Sequence, residues 1–132
     1  LGAWYHATKH ALEGWSDSLR LELNQFGIDV VIIEPGIIIT EFSEVLEDNF
    51  AASQGDQPYS EIITKLSKAS KEQYEKGNGS PPSVIAKTVS KAIKAKRPKT
   101  RYAAGKLAKP MIAIRKIVSD RSFDRMVMSM VK

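Results

Sequence analysis

Apolar residues recur at Trp4, Ala7, Ala11, Trp15, Leu19, Leu23 and Phe26, three or four positions apart. That spacing predicts one helix over residues 3–26 with a buried stripe, and Gly27 supplies its stop. The period then changes. Ile28 to Ile33 carries aliphatic side chains on both parities, as does a strand covered on both faces of a parallel sheet, and Glu34-Pro35-Gly36 ends it. Helix, short turn, strand and Pro-Gly loop make the second half of a βαβ unit. Residues 35–40 then lie at a strand's carboxyl end, where open α/β sheets bind ligands.

Beyond Thr40 the pattern weakens, and residues 41–58 read as a loop with a short helix, a candidate lid. A second helix starting at Pro58 or Ser60 carries Ile62, Ile63, Leu66, Ala69 and Tyr74, and Gly77-Asn78-Gly79-Ser80-Pro81-Pro82 breaks it. Ser83 is a suitable N-cap for a third helix. Its apolar stripe is Ile85, Val89, Ala92 and Ile93, with Lys87, Lys91 and Lys94 turned away, and Arg97-Pro98 stops it. Residues 100–104 suit an edge strand, and residues 106–132 read as helical with a Met-rich apolar side.

At 132 residues the chain has the size of one domain. Cysteine is absent, which excludes disulfides and thiolate metal sites and fits a reducing, cytoplasmic setting. The longest apolar runs break at Glu34 and Thr40, far short of the ~20 residues of a membrane helix, so no spanning segment is expected. The net charge of +5 conceals an asymmetry. Residues 1–83 hold six Lys or Arg against thirteen Asp or Glu; residues 84–132 hold fourteen against two. Such a basic run suits a solvated face, or peripheral contact with an acidic membrane through the tail at 111–130. Nucleic acid is not an expected partner, because the cations are not interleaved with stacking aromatics.

The candidate chemistry sits near the start, in Trp4-Tyr5-His6-Ala7-Thr8-Lys9. Four helical positions bring the Tyr5 phenol and the Lys9 ammonium onto one face. A tyrosine titrates near pH ~10, and a neighbouring cation favours its phenolate form, so the pair suits proton exchange with an alcohol or carbonyl. Tyr-x-x-x-Lys alone is common, and its plain alternative is a surface lysine beside a half-buried tyrosine. His6 and His10, also four apart, lack the His-Glu-x-x-His pattern of a zinc protease, and no metal site is expected. Ala7, Ala11, Gly14 and Ser18 form a strip of small residues, suited equally to a subunit interface or to packing within the chain. Phe42, Val45, Leu46, Phe50, Tyr59 and Tyr74 suggest an apolar pocket lining.

The longer context is Tyr5-His6-Ala7-Thr8-Lys9-His10-Ala11-Leu12-Glu13-Gly14, followed by Asp29-Val30-Val31-Ile32-Ile33-Glu34-Pro35-Gly36-Ile37-Ile38-Ile39-Thr40. It resembles the carboxyl-terminal half of a short-chain dehydrogenase/reductase. The resemblance is specific over residues 5–40 and looser through the third helix and residues 99–105. It implies that Tyr5 exchanges the proton with the substrate oxygen and that Lys9 lowers its pKa and holds the nicotinamide ribose. It also implies that Pro35, Gly36, Ile38 and Thr40 hold the cofactor, NAD or NADP, with backbone at Ile38 meeting the carboxamide. The family's Gly-rich turn, Asn motif and catalytic serine precede the tyrosine, and only residues 1–4 precede it here. Ser16 and Ser18 are no substitutes. The chain is therefore expected to be a fragment, inactive alone.

The resulting expectation is an α/β fold: the carboxyl-terminal part of a Rossmann-type doubly wound parallel sheet, helix-rich over this stretch. Residues 1–132 form one portion of a single domain. Residues 1–40 supply the active-site helix, strand and cofactor loop, 41–82 the substrate lid, and 83–132 a helix, an edge strand and the basic carboxyl-terminal helix. The expected function is NAD(P)-dependent interconversion of a secondary alcohol and a ketone, on a small and apolar, lipid-like substrate, by a homo-oligomer formed through the Tyr5 helix. The competing class is a non-catalytic Rossmann-like binding or scaffold protein with a basic, membrane-interacting tail.

Overall fold

The computed structural model describes residues 2–41, 45, 58–75 and 77–129. Phe42, Leu46 and Phe50 of the expected pocket lining lie outside the described residues, as does the side chain of Tyr74. The elements in chain order are α1 (Ala3–Leu23) with a 3-10 turn at Asn24–Phe26, β1 (Ile32–Pro35), α2 (Ser60–Glu75), α3 (Ser83–Lys94), β2 (Arg101–Ala104), α4 (Ala108–Ile117) and α5 (Asp120–Ser129). Helices dominate and the strands are parallel, the composition of an α/β Rossmann-like segment. They fall into two compact units, residues 1–35 with 83–104, and residues 36–82 with 105–132.

In the first unit, β1 and β2 pair in parallel with Ile32 opposite Arg101 and Pro35 opposite Ala104. The strand begins four residues later than the β-branched run suggests. Its ladder starts where the Ile32 N–H donates to the Thr100 carbonyl, so the reach of β2 sets its length. Pro35 is tolerated because it is the last residue of the ladder. The helix α1 ends as its sequence predicts. Gly27 takes a left-handed φ of 69° and its N–H donates to the Asn24 carbonyl, a conformation in which a Cβ costs ~1–2 kcal/mol.

The stripe of α1 is not buried as expected. Trp4 is 85% exposed and Trp15 60%, and every described residue of α1 before Ser16 is exposed. The half-buried positions are Ser16, Asp17, Leu19, Arg20 and Leu23, so only the carboxyl-terminal half of the helix is covered. Helix α3 deviates likewise: Ala92 is its buried residue, whereas Ile93 is 79% exposed. Val89, Ala92 and Ile93 instead form one wall of an open groove of about 390 Å³ whose other side includes Val31 and Ile33.

Among the described residues of the second unit, Ile63 of α2 and Ala108 of α4 are buried. The tail is two helices rather than one. Val118 and Ser119 interrupt it, and the Ser119 carbonyl accepts from the N–H groups of Ser122 and Phe123. Arg115 closes the corner, donating to Asp120 at 2.7 Å with its guanidinium 5.2 Å from the Phe123 ring centre. No helix among the described residues is long and apolar enough to cross a membrane.

Candidate active site

The residues singled out in the sequence fall in both units: Tyr5, Lys9 and Pro35 in the first, Gly36, Ile38 and Thr40 in the second. Tyr5 and Lys9 stand one turn apart on the exposed part of α1, and the Lys9 Nζ lies 5.2 Å from the centre of the Tyr5 ring. This is cation–π distance. His6 meets the other side of the phenol, its ring edge-on at 5.6 Å between centroids. The Tyr5 ring is 49% exposed, open to an incoming molecule. Neighbouring hydroxyls are engaged locally: Thr8 donates to the Tyr5 carbonyl, Ser16 to that of Leu12 and Ser18 to that of Gly14. A ring nitrogen of His10 lies 3.0 Å from the His6 carbonyl. Among the described residues no group of three His, Cys, Asp or Glu could hold a metal ion.

The Pro-Gly loop is clamped from two sides. On one side the Ile37 N–H donates to the Lys106 carbonyl at 2.9 Å; on the other, Ser80 donates to the Ile37 carbonyl and accepts from Ile39. Ile38 itself faces away from this clamp. Because strand backbone alternates, its N–H and C=O point opposite to the groups that bond Ser80, and they make no hydrogen bond among the described residues. A free donor beside a free acceptor matches a primary carboxamide, which carries the same two functions. The loop thus fits a carboxamide, the nicotinamide end of a cofactor, on the chemistry of the Ile38 N–H and C=O, which make no hydrogen bond among the described residues.

Gly36 also sits at a close crossing of the chain's own backbone. A Cβ there would overlap the Lys106 carbonyl oxygen and come within 2.7 Å of the Ala108 nitrogen. The close approach is made by the chain's own backbone. Gly105 has a φ of +93°, and a Cβ there would meet the Ile38 side chain at 2.7 Å; one at Gly79 would meet that of Ile39 at the same distance. Lys106 completes the clamp, its N–H donating to the Ser80 Oγ at 2.9 Å and its Nζ to the Asn78 Oδ1 at 2.7 Å. Sequence reasoning took residues 77–82 for a helix breaker alone. Ser80 carried no local signal, since its partners lie about 26 and 40 positions away.

A second feature without a sequence signature is the ion cluster at Arg101, which opens β2. Its guanidinium donates to Asp17 at 2.7 Å and lies 3.7 Å from Glu13, both on α1, and 3.5 Å from Glu34 on β1. Arg20 braces Asp17 from the same helix at 2.6 Å. The two guanidinium groups hold the Asp17 carboxyl down at about 2, Arg101 contributing most.

A parallel strand pair, a Tyr-x-x-x-Lys helix and a Pro-Gly loop with an open backbone amide define a class, and the family comparison agrees. Residues 1–51 match the short chain dehydrogenase family. Similar proteins include an uncharacterized oxidoreductase, YbbO, of Escherichia coli, 31% identical over 125 residues, 93% of this chain and 40% of that protein. An NADPH-dependent 3-dehydrocapnine reductase of Ornithobacterium rhinotracheale is 36% identical over 121 residues, 92% of this chain and 42% of its own. Retinol dehydrogenase 8 of Bos taurus is 33% identical over 115 residues, 84% and 36% of the respective chains. The chain thus spans about two fifths of the length of these relatives.

Proposed function

We propose that this chain supplies the acid/base pair and part of the cofactor site of an NAD(P)-dependent oxidoreductase that interconverts a secondary alcohol and a ketone. The observation that carries it is the Tyr5–Lys9 pair, on one exposed helix face within the segment that matches the family. Tyr5 gives a proton to the substrate oxygen in reduction and takes it back in oxidation. Lys9 also holds the nicotinamide ribose. Pro35, Gly36, Ile38 and Thr40 hold the nicotinamide end, the Ile38 backbone meeting the carboxamide. The bound cofactor, NAD or NADP, supplies or accepts the hydride.

An apolar substrate is favoured by a relative named for retinol, an apolar alcohol, and by the exposed Val45 and Tyr59 ahead of α2. The exposed strip at Ala7, Ala11 and Gly14, flanked by Trp4 and Trp15, supports self-association through α1. The 132 residues alone are assigned no turnover, since the family's phosphate-binding turn and serine are not among them. The test is expression with the native upstream sequence and assay of hydride transfer from NADH and NADPH to apolar ketones. Tyr5→Phe is expected to lower kcat by about 10²–10⁴-fold, the usual span for a positioned acid/base group. Full turnover by that variant refutes the assignment.

A further inference from the structure

Tyr5, Lys9, Glu13 and Asp17 follow one another at four-residue steps along α1, so the acid/base pair and the two carboxylates facing Arg101 occupy one row of the helix. The row has two ends with different surroundings. Its amino-terminal end is exposed, and α1 is covered only from Ser16 onward, where Arg101 binds Asp17 at 2.7 Å. The same guanidinium reaches Glu34 through its Nε at 3.5 Å. Glu34 precedes Pro35, the residue from which the Pro-Gly loop departs. One side chain of β2 therefore references α1 to the carboxyl end of β1.

We propose that Arg101 is a positioning residue for the Tyr5–Lys9 pair, fixing the rotation and register of α1 against the two strands. This rests on the function proposed above. The leverage follows from helix geometry: Tyr5 lies twelve residues, about 18 Å, from Asp17 along the axis. A tilt of roughly 10° at the Arg101 end displaces the phenol by about 3 Å, against a tolerance near 1 Å in a reacting geometry. The direct field of Arg101 does not act over this distance, because salt screens charges beyond about 8–10 Å. Since Tyr5 and Lys9 ride on the same helix, displacement leaves their mutual geometry intact. Stability is a lesser effect, because solvent screens a partly exposed ion pair such as this, with Arg101 35% exposed.

The test compares Arg101→Met and Arg101→Lys, each made with the native upstream sequence. For Met, kcat is expected to fall about 10–100-fold, with the cofactor dissociation constant rising as well because Lys9 moves with the helix, and with the midpoint of the kcat–pH profile unmoved. Lys keeps the charge but not the fork and is expected to fall between. Unchanged kcat in the Met variant, or a shifted midpoint of the kcat–pH profile, overturns the proposal. Should the Met variant not fold, Glu13→Gln with Asp17→Asn decides, and wild-type kcat there is equally fatal. Amide exchange on the 132-residue chain separates this from failure of the functional assignment: α1 amides should exchange at least roughly 10-fold faster in Arg101→Met. Unchanged exchange removes the positioning role whatever the activity, whereas turnover surviving Tyr5→Phe removes the function and leaves the exchange result standing.

Discussion

Replacing Gly36 by alanine adds one methyl group at the most crowded backbone crossing of the second unit. The new Cβ would overlap the Lys106 carbonyl oxygen, stand 2.7 Å from the Ala108 nitrogen and 3.0 Å from the Ala108 Cβ, where ordinary contact begins at 3.4 Å. Gly36 has no left-handed φ, so alanine meets no torsional penalty there and the effect isolates the clash. Two of the three opposing atoms are main chain and cannot swing aside. The segment at 105–108 must therefore retreat by several tenths of an ångström, and the carbonyl it carries is the acceptor of the Ile37 N–H. Overpacking costs about 1–3 kcal/mol and a lost backbone hydrogen bond about 1 kcal/mol, together about 2–4 kcal/mol. For a chain of this size that is a fall in Tm of about 10 °C. Thermal unfolding followed by circular dichroism gives the shift, and amide exchange at Ile37 reports the bond. A Tm within about 2 °C of wild type with the Ile37 amide still protected refutes the reasoning.

Gly14, also a glycine near a site residue, should respond with the opposite sign. Nothing lies within 4 Å of its Cβ position in the middle of α1, so Gly14→Ala should stabilise the chain by about 1 kcal/mol through helix propensity; a lower Tm would show that another surface approaches this face. Asp17, held at about 2 by Arg101 and Arg20 against an ordinary 3.8, should contribute stability that is complete above pH 3.8 and lost as pH falls through about 2. Urea midpoints of wild type and Asp17→Asn should therefore differ at pH 6 and converge toward pH 2, and a constant gap across that range contradicts the ion-pair account.

Local order was legible in the sequence where the cause is local. The extent of α1, its stop at Gly27, the starts of α2 and α3 and the edge strand at Arg101–Ala104 all follow from periodicity and capping within a few residues. The Tyr5–Lys9 spacing was visible for the same reason. What the pattern misjudged was which side of a helix finds a neighbour. Trp4 and Trp15 carry the apolar period yet stand exposed, because α1 is covered only near the end that Arg101 grips, 84 positions away in sequence; Ile93 of α3 is exposed likewise. Ser80 and Lys106 were invisible likewise, since their worth comes from segments brought together only in the fold. The break at Ser119 was in principle readable, as a serine before an aspartate is an ordinary helix start, but continuous amphipathicity on both sides obscured it.

The clamp at Lys106 also shapes how this chain can vary. Ser80 bonds back to Ile37 and Ile39, so everything between Thr40 and Asn78 is a closed loop with its two ends tied at one place. The entropy of closing such a loop grows only with the logarithm of its length, about 0.6 kcal/mol for each doubling. Insertions or deletions in that stretch outside α2, which carries the buried Ile63, are thus cheap in stability, and the Ser80 and Lys106 bonds isolate the Ile38 backbone from them. The chain on either side of α2 can lengthen, shorten or change composition across descendants of this fold while the Pro-Gly loop keeps its conformation.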